Sequence, residues 1–259
     1  RAAAVTARFK NRPGGVLTQE SLGPDGGHTT LVLRLPGGRY AQMKSWHSRD
    51  PNANSVATSR GLEARNGRDP LAVLAADTAE YQAFRRTFQE LEDELVAFRR
   101  DLHSHPELAG AEVRTTTVVA DRLTAAGLWV RLLAGSGLVA DIGPVDPAYR
   151  VALRADLDAL PVVERTGLPF ASLNDGVCHA CGHDLHITAV LGAGLALQQH
   201  VESLTAQGTG VRLIFQPAEE GGGGAREMIG DGLFEQFPMD AVFGMHNWPG
   251  TQVGKFAVS

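Results

Sequence analysis

The sequence predicts an α/β fold in which helices flank a mixed, largely parallel sheet. Apolar runs of strand length alternate with helical patterns from about residue 77 onward, as is usual where helices connect parallel strands. Acidic residues and histidines follow directly after several of these strands. Since the carboxyl ends of parallel strands form the usual ligand crevice of such a sheet, this placement also favours the α/β class.

The helices are predicted from apolar residues at helical spacing and from signals at their ends. A capping box at Asp77 begins the first helix, which stops before a His-Pro pair, and Gly127 ends the second. The predicted helices span about residues 77–102, 112–126, 187–204 and 225–229.

The strands are predicted from short apolar or alternating runs bounded by turn residues. One hairpin, residues 29–35 and 40–44 around a Pro-Gly-Gly turn, lies in the first part of the chain. The remaining predicted strands are residues 128–133, 138–142, 150–155, 211–215 and 241–245.

Composition excludes several classes of function. Hydrophobic residues make up 43% of the chain and charged residues 20%, as in an ordinary globular protein. A net charge of −5 gives no basic surface, so we expect no nucleic-acid partner, and no apolar run predicts a membrane span. With only two cysteines, Cys178 and Cys181, the chain is not a disulfide scaffold, and a reducing, cytoplasmic compartment is the simplest expectation.

The segment from Cys178 to His186 holds two cysteines and three histidines within nine residues. Burying so many polar groups without a purpose is costly. Cys181 and His183 stand just before a predicted helix, whose N-terminus would help to deprotonate the thiol, so both are candidate metal ligands. Cys178, His179 and His186 are interpreted as lining or supporting residues.

Two further clusters follow strand ends. Glu219 and Glu220 lie between an apolar strand and four glycines, and as adjacent residues they could divide two roles, one binding metal and the other handling a proton. His246 follows the strand at 241–245 and is a candidate ligand. Asp156 and Asp158 could orient a ligand histidine, although Arg154 could equally make Asp156 a plain ion pair.

His103 and His105, at the end of the first helix, have a spacing that could bind metal. A helix C-terminus also favours an imidazolium ion, so a structural role is the preferred interpretation.

Five segments in order resemble the M20 metallopeptidase family, in particular its amidohydrolase branch. That branch includes hippurate hydrolases, N-acyl-amino-acid amidohydrolases and auxin-conjugate hydrolases. The resemblance covers about residue 90 to the end of the sequence. The matching segments are Phe98–Glu107, Leu153–Pro161, His179–Asp184, Leu213–Glu220 and Phe243–His246.

The resemblance implies a zinc-exopeptidase type of catalytic domain with two divalent ions, either zinc, manganese or cobalt. By motif position it implies that Cys181, His183, Glu220 and His246 are metal ligands and that Glu219 is the general base. Where the wider family has a histidine ligand, this chain has Arg154, which is therefore not expected to bind metal, while Asp156 keeps a supporting role.

The resemblance also implies a domain arrangement. Residues 1–76 are expected to be an extension of unknown role and a candidate for poor order, and residues 77–259 a partial catalytic domain. Family members continue into a lid or dimerisation domain and a further histidine ligand, which this sequence is expected to lack. A homodimer is therefore expected only of a full-length protein.

The expected function is hydrolysis of the amide bond of N-acyl amino acids or related small-molecule amides. A metal-activated water would attack the bond, with Glu219 as base. Two alternatives stay open: a catalytically inactive metal-binding fragment and, ranked below it, an amidase that uses Cys181 as its nucleophile.

Overall fold

The structure is a computed structural model, which describes residues 16–23, 26–35, 39–48, 79–133 and 135–248. The chain divides into two compact units. One comprises Arg1–Ala76 with Trp248–Ser259, and the other comprises Asp77–Asn247. The roles predicted for residues 1–76 and 77–259 stay predictions.

The first unit contains a three-stranded antiparallel sheet in the order β1-β2-β3. Its strands are β1 (Val16–Gly23), β2 (Gly26–Leu35) and β3 (Arg39–Ser48). The register pairs Leu35 with Arg39, so the hairpin predicted at residues 29–44 is present and its strands are longer than expected. The predicted Pro-Gly-Gly turn lies outside the described residues.

The second unit begins with two helices where the sequence predicts one. They are α1 (Ala79–Glu90) and α2 (Glu92–Ser104), separated by a turn at Leu91. The Leu91 amide still donates to the Thr87 carbonyl and its carbonyl still accepts from the Leu95 amide. Because these bonds keep the apolar residues at helical spacing, the periodicity of the sequence does not reveal the interruption. The predicted cap, Asp77, lies outside the described residues.

The next helix and hairpin follow the prediction closely. Helix α3 (Val113–Ala125) ends before Gly127, which has a φ of +81°. The Glu107 carboxylate accepts the amides of Arg114 and Thr115 at 3.0 and 2.7 Å, and so caps the first turn of α3. Strands β4 (Trp129–Leu132) and β5 (Leu138–Ile142) then form an antiparallel hairpin.

The sheet of the second unit is mixed, as predicted. Its order is β4-β5-β7-β6-β8, in which β4, β5 and β7 pair antiparallel and β7, β6 and β8 pair parallel. The predicted parallel character thus belongs to one side of the sheet, where the strand ends carry the candidate site residues. The three parallel strands are β6 (Tyr149–Asp156), β7 (Thr209–Gln216) and β8 (Ala241–Gly244).

The helix expected at residues 187–204 begins earlier and is divided. Helix α4 (His183–Gln199) starts at His183, so this residue lies in the first turn of the helix and not just before it. Gly182, with a φ of +88°, makes this start possible because a side chain there would be strained. Helix α5 (Val201–Ala206) follows His200.

Helices cover both faces of the mixed sheet. Alternate residues of strand β7 belong to two different hydrophobic clusters. Leu213 and Phe215 belong to the core shared with α2, α3 and α4, whereas Ile214 belongs to a second cluster. The second cluster includes residues of α6 (Gly224–Gly230) and α7 (Leu233–Gln236). A period of two along β7 is what a strand buried on both faces requires. Within the described residues, none of these helices is long and apolar enough to cross a membrane.

Candidate metal centre

The candidate residues meet at one edge of the mixed sheet. Strand β6 ends at Asp156, with Asp158 shortly after it, and β7 is followed by Glu219 and Glu220. Strand β8 is followed by His246. Because β7, β6 and β8 are parallel neighbours, their carboxyl ends lie side by side.

His183 is the centre of this arrangement. Its ring is fully buried, and Nδ1 donates to the backbone carbonyl of Asp158 at 2.7 Å. Nε2 lies 3.8 Å from carboxylate oxygens of both Asp156 and Glu220 and makes no hydrogen bond. A buried nitrogen with a free lone pair, facing carboxylates, is what a divalent cation would satisfy, so the donor set fits a metal.

Burial alone would lower the pKa of His183, but the hydrogen bond to Asp158 and the charges of Asp156 and Asp158 raise it above its usual value. Asp158 shows the complementary effect. Burial raises the pKa of its carboxyl, but hydrogen bonds from His183 and the Glu220 amide lower it below the ordinary value. Asp158 is thus held as a carboxylate against the imidazole.

Cys181, His183 and His246 form one group of donors. The Cys181 sulfur lies 3.4 Å from Nε2 of His246, and donor atoms of all three residues lie within 4.8 Å of one another. Burial, together with Glu220 and Glu219, raises the pKa of the Cys181 thiol to about 12. The anionic surroundings thus oppose a free thiolate and favour a thiolate neutralised by a cation.

Glu219 and Glu220 form a second group with His183, again with donor atoms within 4.8 Å of one another. Glu219 is exposed, whereas Glu220 is half-buried. The Glu220 amide donates to Oδ2 of Asp158 at 2.9 Å. The two neighbouring carboxylates therefore have different surroundings, as two separate roles would require.

Asp156 is both ion-paired and part of the cluster. Its Oδ2 accepts from Arg154 at 2.6 Å and its Oδ1 accepts from Nδ1 of His186 at 2.7 Å. Burial raises the pKa of Asp156, but the bond from His186 and the charge of Arg154 outweigh burial and lower it well below the usual range. Arg154 also donates to Gln216, so its guanidinium is engaged by protein groups.

His186 and Asn247 support the centre more directly than the sequence indicates. His186 is buried, its ring centroid lies 4.5 Å from that of His246, and its Nε2 accepts the backbone N–H of Asn247 at 3.1 Å. The atoms of Asp156, His183 and His186 also lie within 4.8 Å of one another. The one available sequence signal was the spacing of His183 and His186 in α4, which places both on one helix face.

The other histidines lie outside these groups. Nδ1 of His103 is 2.8 Å from Asp184 and its Nε2 is 3.2 Å from Glu164, while His105 contacts the Asp101 carbonyl. These contacts are consistent with the structural role expected for both.

His179 and Cys178 are also buried. His179 makes no hydrogen bond through either ring nitrogen, and burial lowers its pKa to about 4. Burial raises the pKa of the Cys178 thiol. Both surroundings favour the neutral side chain.

Residues 152–259 match the profile of the family described as Peptidase family M20/M25/M40. A relative named N-acetyl-L-cysteine deacetylase, from Bacillus subtilis (strain 168), is 46% identical over 165 residues, which are 63% of this chain and 38% of that protein. A hippurate hydrolase from Campylobacter jejuni subsp. jejuni is 43% identical over 161 residues, which are 62% of this chain and 41% of that protein. The chain therefore spans about two fifths of the length of these relatives.

A solved structure shares the fold. It is a Bacillus subtilis protein described as a dinuclear metal binding peptidase from the M20 family. The TM-score is 0.58 at 40% sequence identity, over 62% of this chain and 45% of the other.

Proposed function

Because residues 152–259 match the profile of peptidase family M20/M25/M40, we propose that the chain carries the metal-binding part of an amidohydrolase. The proposed reaction is hydrolysis of the amide bond of N-acyl amino acids or related conjugates. The observation that carries the proposal is the buried Nε2 of His183, which has no hydrogen-bond partner and faces carboxylates, with the Cys181 sulfur and His246 close by.

The residues that would hold two divalent ions are Cys181, His183, Glu220 and His246. Thiolate, imidazole and carboxylate donors together suit zinc, manganese and cobalt about equally. Bound there, the ions would lower the pKa of a water molecule and polarise the amide carbonyl. Asp158 and Asp156 would orient His183 and His186 and keep their imidazoles electron-rich.

Glu219 would handle the proton. Its carboxylate lies near His183 but is exposed, unlike that of Glu220, so it can reach a water molecule in the site. It would take one proton from water as the oxygen attacks the amide carbon, then pass that proton to the departing nitrogen. The products are a carboxylic acid and a free amine, which for an N-acyl amino acid is the amino acid.

The substrate class is supported by the names of the relatives. One is named as a deacetylase of N-acetyl-L-cysteine and another as a hydrolase of hippurate, at 46% and 43% identity. We propose the same class of small acylated amino acids for this protein.

Two other functions have a specific observation behind them. The donor atoms of Cys181, His183 and His246, which lie within 4.8 Å of one another, would suffice for a metal-binding protein without turnover. The contact of 3.4 Å between the Cys181 sulfur and His246 favours a cysteine-nucleophile amidase, but the raised pKa of that thiol opposes a free thiolate.

One experiment separates the three functions. The purified protein is assayed on N-acetyl and N-benzoyl amino acids before chelation, after chelation, and after Zn²⁺, Mn²⁺ or Co²⁺ is restored, with the metal content measured each time. We expect hydrolysis that chelation abolishes and metal restores. Activity that survives complete metal removal would instead indicate the thiol enzyme, and bound metal without hydrolysis would indicate the inactive fragment.

A further inference from the structure

The turn that carries Glu219 and Glu220 contains an unusual backbone conformation. Ala218 has a φ of +49° and is the one non-glycine residue with positive φ in the described part of the chain. Such a conformation is unfavourable for any residue with a Cβ and persists only where the surroundings enforce it. It lies one residue before the proposed base and two before the proposed ligand.

The surroundings that enforce it include a remote carboxylate. Glu112 precedes α3, lies 106 residues from Ala218 in sequence and is fully buried. Its Oε1 accepts the Ala218 amide at 2.7 Å, and its Oε2 accepts the Ser136 hydroxyl at 2.6 Å. Leaving a buried amide without an acceptor is costly, so this bond can hold the Ala218 amide in a strained conformation.

The turn is thus fixed at two points by two carboxylates. Glu112 holds the Ala218 amide, and Asp158 holds the Glu220 amide at 2.9 Å. Glu219 lies between these two points. Asp158 also binds His183, so one of the two anchors already belongs to the centre.

We propose that Glu112 is a positioning residue for the metal centre, which acts by keeping Ala218 in its left-handed conformation. Without that acceptor, Ala218 would relax to negative φ and turn both following carboxylates away from His183. The inference rests on the proposed function, in which Glu220 binds metal and Glu219 handles the proton.

The test measures the affinity of the apo protein for Co²⁺ by visible absorption, together with the thermal midpoint. Glu112→Met keeps the side-chain volume and removes the acceptor, and we expect Co²⁺ affinity to fall about tenfold, as for a buried amide left without its hydrogen-bond partner. Glu112→Gln keeps an oxygen for the Ala218 amide and should stay within about twofold of the wild type.

Rescue distinguishes positioning from a general role in folding. Glycine adopts positive φ without strain, so Ala218→Gly in the Glu112→Met background should recover about threefold of the lost affinity. Thr116→Val is the matched control, since the Thr116 hydroxyl ties the same helix to the same hairpin through the Ser136 carbonyl, at 2.6 Å, without contacting the turn. It should lower the thermal midpoint and leave Co²⁺ affinity unchanged.

The outcomes are separable. The inference is overturned if Glu112→Met binds Co²⁺ as tightly as the wild type. It is also overturned if Thr116→Val or Glu112→Gln loses as much Co²⁺ affinity as Glu112→Met, or if Ala218→Gly recovers none of the lost affinity. If Glu112→Met alone does not fold, the double variant with Ala218→Gly decides. It should fold and bind Co²⁺ within about threefold of the wild type, because glycine adopts positive φ without the anchor. A double variant that also fails to fold overturns the inference, because Glu112 is then needed for folding in general. A wild-type protein that neither binds Co²⁺ nor hydrolyses amides overturns the proposed function itself.

Discussion

At the scale of single residues, the two adjacent glutamates differ in their surroundings and therefore in their proposed roles. Glu219 is exposed, whereas Glu220 is half-buried and has its amide fixed by Asp158. Glu219→Gln should therefore lower kcat by about 10²–10⁴-fold, the usual contribution of a general base, while metal content stays near that of the wild type. Steady-state kinetics with metal analysis of the same samples measures both.

Glu220→Gln is the matched control for that prediction. It replaces the neighbouring carboxylate by the same amide, and its main effect should be loss of metal. If Glu219→Gln loses metal while Glu220→Gln keeps it, the two glutamates have been assigned the wrong way round.

Some residues of the site could be predicted from the sequence, and others could not. Cys181, His183 and His246 could be proposed from the sequence because each follows a strand or stands close to the start of a helix. Glu112 gave no such signal, since a glutamate at the start of a predicted helix is ordinary. Its role depends on a contact with Ala218 across 106 residues, which only the packed sheet creates.

At the scale of elements, the turn between β7 and α6 folds closely back on itself. A Cβ at Gly224 would lie 1.9 Å from the Pro217 carbonyl oxygen, a backbone atom that cannot move alone. Gly224→Ala should thus distort the turn that carries Glu219 and Glu220. We expect it to destabilise the protein by about 1–3 kcal/mol and to weaken metal binding at least as strongly as Glu112→Met.

Gly230 offers a control in the same helix. It is the last residue of α6, and a Cβ there would meet no atom within 4 Å. Gly230→Ala should leave metal binding unchanged and the thermal midpoint equal or slightly higher, since alanine favours the helix. Both variants are measured by thermal unfolding and metal titration. If the two substitutions have equal effects, close packing at Gly224 is unimportant for stability and metal binding.

Most element positions could be predicted because burial imposes periodicity, but interruptions could not. The breaks at Leu91 and His200 leave the apolar pattern in place. The order and direction in which the strands pair could not be predicted from the sequence either. β5 joins β7 antiparallel, and nothing in the apolar run of β5 indicates its direction.

At the scale of the whole molecule, the candidate metal centre connects elements that are far apart in sequence. Its donors come from the start of α4 and from the segments after β7 and β8, while Asp156 and Asp158 come from the end of β6 and just beyond it. A cation bound to these donors would link the parallel half of the sheet to its longest buried helix. Binding to the folded state alone must then raise the free energy of unfolding.

The size of this effect can be predicted. At a free Mn²⁺ concentration of 100 Kd the stabilisation is about 2.7 kcal/mol. For a domain of this size each kcal/mol raises Tm by about 2–4 °C, so chelation should lower Tm by about 5–11 °C. The measurement is thermal unfolding of metal-loaded and chelated protein.

The control for this linkage removes the donors and keeps the fold. In a variant with both Cys181→Ala and His246→Ala, Mn²⁺ should no longer change Tm, because carboxylates and a single imidazole remain. A metal-dependent shift as large as in the wild type would mean that the ion binds elsewhere on the protein. Because the stabilisation comes from binding, it should be measurable whether or not the protein hydrolyses an amide, so it tests the metal centre independently of the reaction.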